Sequence, residues 1–140
     1  MNRQEIIKMF KQYRGLRLEC QRLHKRISDK RNDIYDVKAV VMSGANVRSG
    51  DIADRVERVV EMLNDLADFY IRKVEEAEQS EREIVEMIDR LSDSEERGVL
   101  FLHYVEGKTF LEIGDDMHLS ERTVWYRHNC AIGKLCDQAS

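Results

Sequence analysis

The side chains of this sequence that are best suited to specific recognition lie near its C-terminus, on a segment that begins at Ser120. Arginine pairs with phosphate or donates two hydrogen bonds to guanine, and glutamate accepts a hydrogen bond from the cytosine amine. Aromatic rings contact the thymine methyl group or the sugar. The segment therefore offers groups that can read duplex DNA. The candidate DNA-binding residues are Ser120, Glu121, Arg122, Thr123, Trp125, Tyr126, Arg127 and Asn129.

Two helix starts frame these residues. Thr109 precedes a run in which apolar residues recur with helical spacing, and Glu112 follows three residues later. This is the pattern of a capping box. Ser120 marks the start of a second predicted helix. Glu121 lies in the first turn of that helix, where the helix dipole favours an anion. Only residues 117–119 separate the two helices, so the spacing predicts a helix-turn-helix, whose second helix enters the DNA major groove.

An apolar inner side is expected to hold this unit together, with Gly114 allowing the two helices to approach closely. The same pattern also fits an ordinary helical hairpin whose polar face is merely solvated, because the motif is loose. The positions expected to meet on the inner side are Ile113, Met117, Leu119, Val124, Ala131 and Leu135.

A longer match extends this pattern upstream. The two motif helices, 109–119 and 120–135, are preceded by the segments 91–97 and 99–107. Taken together, residues 91–135 resemble region 4 of the bacterial sigma-70 family. The agreement spans about a third of the chain, three helices with their caps, and includes Glu112, Ile113, Ser120, Thr123, Val124, Ala131, Lys134 and Leu135.

The resemblance implies that the positions of Glu121, Arg122, Trp125 and Tyr126 contact a promoter −35 element. Two departures from the family pattern affect this expectation. His118 stands where the family usually has a glycine, at a turn that often needs a positive φ. Trp125 and Tyr126 replace smaller polar residues, so the family's base preference is not carried over.

The sequence of the first two thirds of the chain predicts a long antiparallel helical hairpin of coiled-coil character. Apolar residues recur every three or four positions, which predicts one helix over about 3–42 and a second over about 51–91, joined by a loop at 43–50. Residues 1–91 are then a hairpin domain suited to dimerisation, and residues 92–140 a helix-turn-helix domain.

Charge supports the pairing of the two long helices. Residues 1–31 hold 10 Lys and Arg against 3 Asp and Glu, whereas residues 51–91 hold 6 against 13. A basic helix and an acidic one are expected to pair, although burial of their apolar seams supplies most of the stability. The other interpretation of the basic arm is a face that binds phosphate.

Composition limits the remaining possibilities. The chain has no proline and 36% charged residues, which is typical of an all-α protein, and no apolar run approaches the ~20 residues that span a bilayer. Its three cysteines form no C-x-x-C pair, and its four histidines lack metal-ligand spacing. We therefore expect a cytoplasmic protein that has no membrane segment, metal or cofactor and is not an enzyme.

Two functional hypotheses follow. The first is a sequence-specific DNA-binding transcription regulator, a homodimer through the hairpin, similar to small sigma-region-4-like regulators of phages and prophages of Gram-positive bacteria. The second is a protein-interaction module that mimics region 4 and binds RNA polymerase or a sigma factor without contacting DNA. The charge of residues 92–140, with 5 Lys and Arg against 9 Asp and Glu, favours the second hypothesis.

Overall fold

The protein is all-α, as its composition and periodicity predict. The computed structural model describes residues 1–42, Gly44 and 49–139, and within these residues there are five α-helices, one π-helical turn and no strand. The helices are α1 (Arg3–Met42), α2 (Ser49–Asp89), α3 (Ser94–Leu100), α4 (Phe110–Met117) and α5 (Glu121–Ala139), and the π-helical turn, Phe101–Val105, continues α3.

The two long helices have nearly the predicted bounds. The loop predicted over 43–50 lies mostly outside the described residues, which omit Ser43 and 45–48. At its end the structure differs from the prediction, because Ser49 and Gly50 already belong to α2.

Contacts divide the chain into two compact units. One unit joins Met1–Arg17 with Glu76–Ser140, and the other is Leu18–Glu75. This division does not follow the sequence-based boundary at residue 91, because the C-terminal helices share a core with the first turns of α1 and the last turns of α2.

The core of the first unit is a large apolar cluster between helices that are far apart in sequence. Phe10 of α1 packs its ring against Tyr104 of the π-helical turn, with ring centroids 4.8 Å apart. The other buried members come from α1, the end of α2 and the turn that follows it, α3 and α5. They are Ile6, Tyr13, Ile84, Met87, Ile88, Leu91, Leu100, Ala131, Ile132 and Leu135.

A second, smaller cluster lies inside the helix-turn-helix. Val99, Ile113 and Val124, one from each of α3, α4 and α5, are fully buried together. Met117 and Leu119 are half-buried against them. The inner-side positions predicted from sequence therefore divide between two clusters, because Ala131 and Leu135 pack in the large one.

In the second unit, α1 and α2 run antiparallel. Lys73 Nζ lies 3.4 Å from the carboxylate of Glu19, and the rings of His24 and Tyr70 lie 6.0 Å apart, so rising numbers on α1 meet falling numbers on α2. Among the described side chains of this unit, Leu23 is the one buried hydrophobic residue. Two helices alone leave most of their apolar seam half-exposed.

The turn between α4 and α5 depends on two special backbone positions. His118 ends α4 in the left-handed conformation, with φ 57°, so histidine takes the role that glycine usually has. The Leu119 N–H donates to the Gly114 carbonyl over 2.8 Å. A Cβ atom at Gly114 would lie 2.5 Å from the Leu119 carbonyl oxygen, so this tight turn requires a glycine there.

Substituting two helical glycines separates this steric requirement from helix propensity. We expect Gly114→Ala to lower the free energy of unfolding by about 1–3 kcal/mol, because backbone must move to admit the methyl group. Gly133→Ala is the matched control, since a Cβ there meets nothing within 4 Å. It should raise stability by up to about 1 kcal/mol. Urea unfolding measures both, and equal effects would contradict the assigned turn geometry.

Candidate nucleic-acid interface

The start of α5 is fixed by the side chain of Ser120. Its Oγ accepts a hydrogen bond from the Thr123 N–H over 3.1 Å and lies 2.7 Å from the Thr123 hydroxyl. At the start of α4, Thr109 and Glu112 form the predicted capping box. Ser120 and Thr123 therefore cap and orient α5, and both hydroxyl groups are engaged within the helix end.

The exposed face of α5 carries the candidate recognition residues. Trp125 is 54% exposed and Tyr126 is 59% exposed, and Arg122 is exposed one turn before them. Glu121 is exposed in the first turn. On the opposite side of the helix Val124, His128 and Ala131 are buried, so the periodicity of α5 separates a packed face from a presented one.

Arg127 is half-buried, and its side chain reaches toward α3. Its Nη2 lies 3.9 Å from the Glu95 carboxylate at the start of α3, and its Nε is buried without a hydrogen-bond partner among the described residues. The sequence predicts that Arg127 lies with Arg122 on the side of α5 that faces DNA. In the structure the Arg127 side chain instead links α5 to α3.

Asn129 connects the exposed face of α5 to the N-terminus of the chain. Arg3 Nη2 donates a hydrogen bond to Asn129 Oδ1, and Arg3 Nη1 lies 3.5 Å from the Asn129 carbonyl oxygen. A guanidinium from the first turn of α1 is thereby held beside the middle of α5. The side-chain oxygen of Asn129 is accordingly committed to an internal contact.

A buried polar network supports this contact from below. The Tyr104 hydroxyl lies 2.7 Å from His128 Nε2, and His128 Nδ1 lies 3.2 Å from Asn129 Oδ1. The Asn129 oxygen can only accept, so the consistent assignment is a neutral ring in which Nδ1–H donates to Asn129 and the Tyr104 hydroxyl donates to Nε2.

Burial sets the protonation of this network. Desolvation lowers the pKa of His128 below its usual value, and the positive charge of Arg3 adds to the effect. Desolvation also raises the pKa of Tyr104 to about 12. Both groups are therefore neutral near pH 7, and the charge of Arg3 dominates this end of the network.

Most cationic side chains of the C-terminal third form ion pairs with acidic side chains. Lys134 donates to both carboxylate oxygens of the buried Glu96, at 2.8 and 3.0 Å, and this hydrogen bond raises the pKa of Lys134. Lys108 pairs with Asp116, and Arg97 donates to the Leu91 carbonyl oxygen over 2.7 Å. Within residues 92–139, Arg122 is the one cation without a described partner.

Two residues of this surface were absent from the sequence-based site. Arg3 is 126 positions from Asn129, so no local pattern could place it there, although the basic composition of α1 did indicate a phosphate-binding face as an alternative. Leu111 on α4 is 59% exposed. Helical spacing could have placed it outside, because Leu111 lies two residues before the buried Ile113 and therefore on nearly the opposite face of α4.

The described residues contain no group of three or more His, Cys, Asp or Glu side chains arranged to hold a metal ion. None of their helices combines the length and apolarity needed to cross a membrane.

The described residues define an all-α protein in which a short helix, a tight turn and a longer helix pack onto the paired ends of two long helices. Residues 37–136 match a family described as "Protein of unknown function (DUF1492)", and the chain belongs to that family. No curated protein matches the chain. No solved structure matches it either.

The buried histidine gives a prediction about pH. A histidine whose pKa is lowered by folding stays neutral while the unfolded chain takes up a proton, so stability is full above the unfolded pKa, near 6.5, and falls as pH drops toward the lowered value. We expect the free energy of unfolding to decrease below pH 6.5 by at most about 1.4 kcal/mol per pH unit from this group.

His128→Gln should remove that part of the pH dependence between pH 7.5 and 5.5, as measured by urea unfolding. His118→Asn is the matched control, because His118 is exposed and asparagine tolerates its left-handed conformation. An unchanged pH profile in His128→Gln would show that the ring is not held neutral.

Proposed function

We propose that this protein is a sequence-specific DNA-binding transcription regulator that reads promoter DNA through α5. The observation that carries the proposal is the exposed face of α5, where Arg122, Trp125 and Tyr126 project from a helix whose opposite face is fully packed. A rigid helix that follows a tight turn and presents arginine and aromatic side chains has the form that enters a major groove. The resemblance of residues 91–135 to sigma-70 region 4 and to small phage and prophage regulators supports the same proposal.

The small positive charge near α5 determines how strongly we expect this protein to bind DNA. Residues 92–140 carry 5 Lys and Arg against 9 Asp and Glu, and the ion pairs described above occupy three of those cations. Arg122, together with Arg3 beside Asn129, then supplies the positive charge near the exposed face of α5. Because phosphate contacts dominate DNA affinity, a single copy should bind weakly, and docking on RNA polymerase would raise its local concentration.

Arginine substitutions test whether the exposed face of α5 contacts DNA. Arg122→Ala should weaken binding to a preferred duplex by about 1–3 kcal/mol without lowering the melting temperature, because the side chain is exposed and makes no described contact. Arg127→Ala should instead lower the melting temperature, because it breaks the contact with Glu95. Fluorescence anisotropy and thermal unfolding measure the two effects.

The control is Arg58→Ala, which removes an exposed cation of α2. It should leave affinity within about twofold of the parent. If Arg58→Ala weakens binding as much as Arg122→Ala does, the interaction is only a response to net charge. If Arg122→Ala binds like the parent, α5 is not the reading helix.

The preferred duplex has to be found first, by selection from random duplexes at low salt and a salt titration of the enriched sequences. We expect an enriched motif whose affinity falls steeply with salt, because phosphate binding releases counterions. A folded protein that enriches no sequence would count against DNA reading.

A second function is favoured by the exposed apolar groups and the acidic balance. Trp125, Tyr126 and Leu111 are each more than half exposed, and tryptophan and tyrosine are common anchors of protein interfaces. On this proposal the module mimics region 4 and binds RNA polymerase or a sigma factor without touching DNA. Co-purification with polymerase after nuclease treatment supports it, and a footprint on a short duplex without polymerase counts against it.

A further inference from the structure

The positive charge of the unit formed by residues 1–17 and 76–140 is concentrated on the first turns of α1. Residues 1–17 hold 5 Lys and Arg against 1 Asp and Glu, whereas residues 76–140 hold 7 against 15. In the second group Lys108, Arg127 and Lys134 are already paired with carboxylates. Among the described residues, no carboxylate pairs with a Lys or Arg of residues 1–17. These cations are therefore available to an anion from outside.

Three of these cations lie on one flank of α1. Arg3, Ile7 and Arg14 are spaced by four and seven residues, so they lie in one line along the helix. Lys11 lies four residues after Ile7 and three before Arg14, beside that line, and it is exposed. Glu5 is the one acid of residues 1–17, and it lies two residues from Arg3, on nearly the opposite side of the helix. The flank of Arg3, Lys11 and Arg14 is therefore basic without an acid of its own.

The first arginine of this flank extends the exposed face of α5. Arg3 donates a hydrogen bond to the side-chain oxygen of Asn129. Asn129 lies three residues after Tyr126 and seven after Arg122, so these positions share one side of α5. The Arg3 guanidinium thus continues the line of side chains that we assign to DNA, at its C-terminal end.

The last arginine of the flank lies beside the start of α4. A Cβ atom at Gly107 would collide with Cζ and both Nη atoms of Arg14, so the flat side of the guanidinium covers this glycine. The edges of the guanidinium carry its N–H donors, and they make no hydrogen bond to the described residues. Gly107 comes two residues before Thr109, the N-cap of α4. In a helix-turn-helix that binds DNA, this first helix crosses the phosphate backbone.

The length of the flank indicates an extended anion. Arg3 and Arg14 are eleven residues apart, which is about 16 Å along a helix that rises 1.5 Å per residue. One phosphate or carboxylate group cannot contact both ends and Lys11 between them. A strand of duplex DNA carries a phosphate about every 3.4 Å of its axis and offers a row of anions on this scale. Guanidinium groups also match the geometry of phosphate oxygens, to which they donate two hydrogen bonds at once.

We propose that the flank of α1 formed by Arg3, Lys11 and Arg14 binds the phosphate backbone of the same duplex that α5 reads. On this arrangement α1 supplies affinity that is independent of sequence, and α5 supplies the sequence preference. A helix-turn-helix with a negative total charge then holds DNA through cations from the other end of the chain. The inference rests on the proposed function for its choice of DNA as the partner.

The salt dependence of duplex binding by the full chain tests the proposal. Fluorescence anisotropy compares the enriched duplex with an unrelated one of equal length, or two unrelated duplexes where selection enriches none. Lys11→Gln combined with Arg14→Gln should reduce the slope of log affinity against log salt by about 1.8, since each lost phosphate contact removes about 0.9. Both duplexes should be weakened by the same factor, at least about fivefold at about 0.05 M salt, because phosphate contacts carry no sequence information.

Two double variants are the controls. Arg82→Gln with Arg90→Gln removes the same charge from exposed positions at the end of α2, within the same unit, and should keep the parental slope. Lys11→Arg with Arg14→Lys retains both charges and should also keep the parental slope, because the slope counts phosphate contacts. Circular dichroism confirms that each variant remains helical.

A parental slope in the Lys11→Gln, Arg14→Gln variant overturns the proposal, and sequence selection by α5 is then unaffected. The proposal also fails if the Arg82→Gln, Arg90→Gln control lowers the slope equally, or if Lys11→Arg with Arg14→Lys does not preserve it. A parent that binds duplexes without sequence preference, and whose slope the Lys11→Gln, Arg14→Gln variant reduces, supports the α1 surface and removes the proposed function. A parent that binds no duplex overturns both.

Discussion

The burial of one side of α5 is the constraint on which the rest of the C-terminal structure depends. Val124 near its start closes the small core of the helix-turn-helix, whereas Ala131, Ile132 and Leu135 near its end fill the large core beneath α1 and α2. One helix thus belongs to both clusters. Because this packing fixes the rotation of α5 about its axis, it also fixes which side chains remain outside. Arg122, Trp125 and Tyr126 are presented because their neighbours on the helix are buried.

Internal ion pairs shape the chemistry of that presented face. The buried Glu96 binds Lys134, and Glu95 draws Arg127 toward α3, so two cations of α5 serve packing. A buried carboxylate requires such a partner, because an unpaired charge in a core is costly. The same requirement leaves the exposed face of α5 with little positive charge of its own. Arg3, held beside Asn129, restores some of it from the other end of the chain.

The polar network under α5 ties this charge to the core. Tyr104, His128 and Asn129 form a chain of hydrogen bonds that ends at Arg3, and burial keeps the histidine neutral. A neutral ring with its proton on Nδ1 satisfies both of its neighbours at once. Protonation of His128 would take away the acceptor of the Tyr104 hydroxyl and place a second positive charge near Arg3. The stability of this region and the position of Arg3 are therefore expected to respond together to acidification.

The sequence by itself determined the helices and their ends. Its apolar periodicity predicted α1 and α2 nearly to their observed bounds, and Thr109, Glu112 and Ser120 predicted the starts of α4 and α5, because caps and periodicity act within a few residues. Only the tertiary structure decided which side chains of α5 are engaged. The pairing of Arg127 with Glu95 and of Asn129 with Arg3 joins residues 32 and 126 positions apart, and no local pattern encodes such contacts. Periodicity gives the faces of a helix, but the partners of those faces depend on how the whole chain packs.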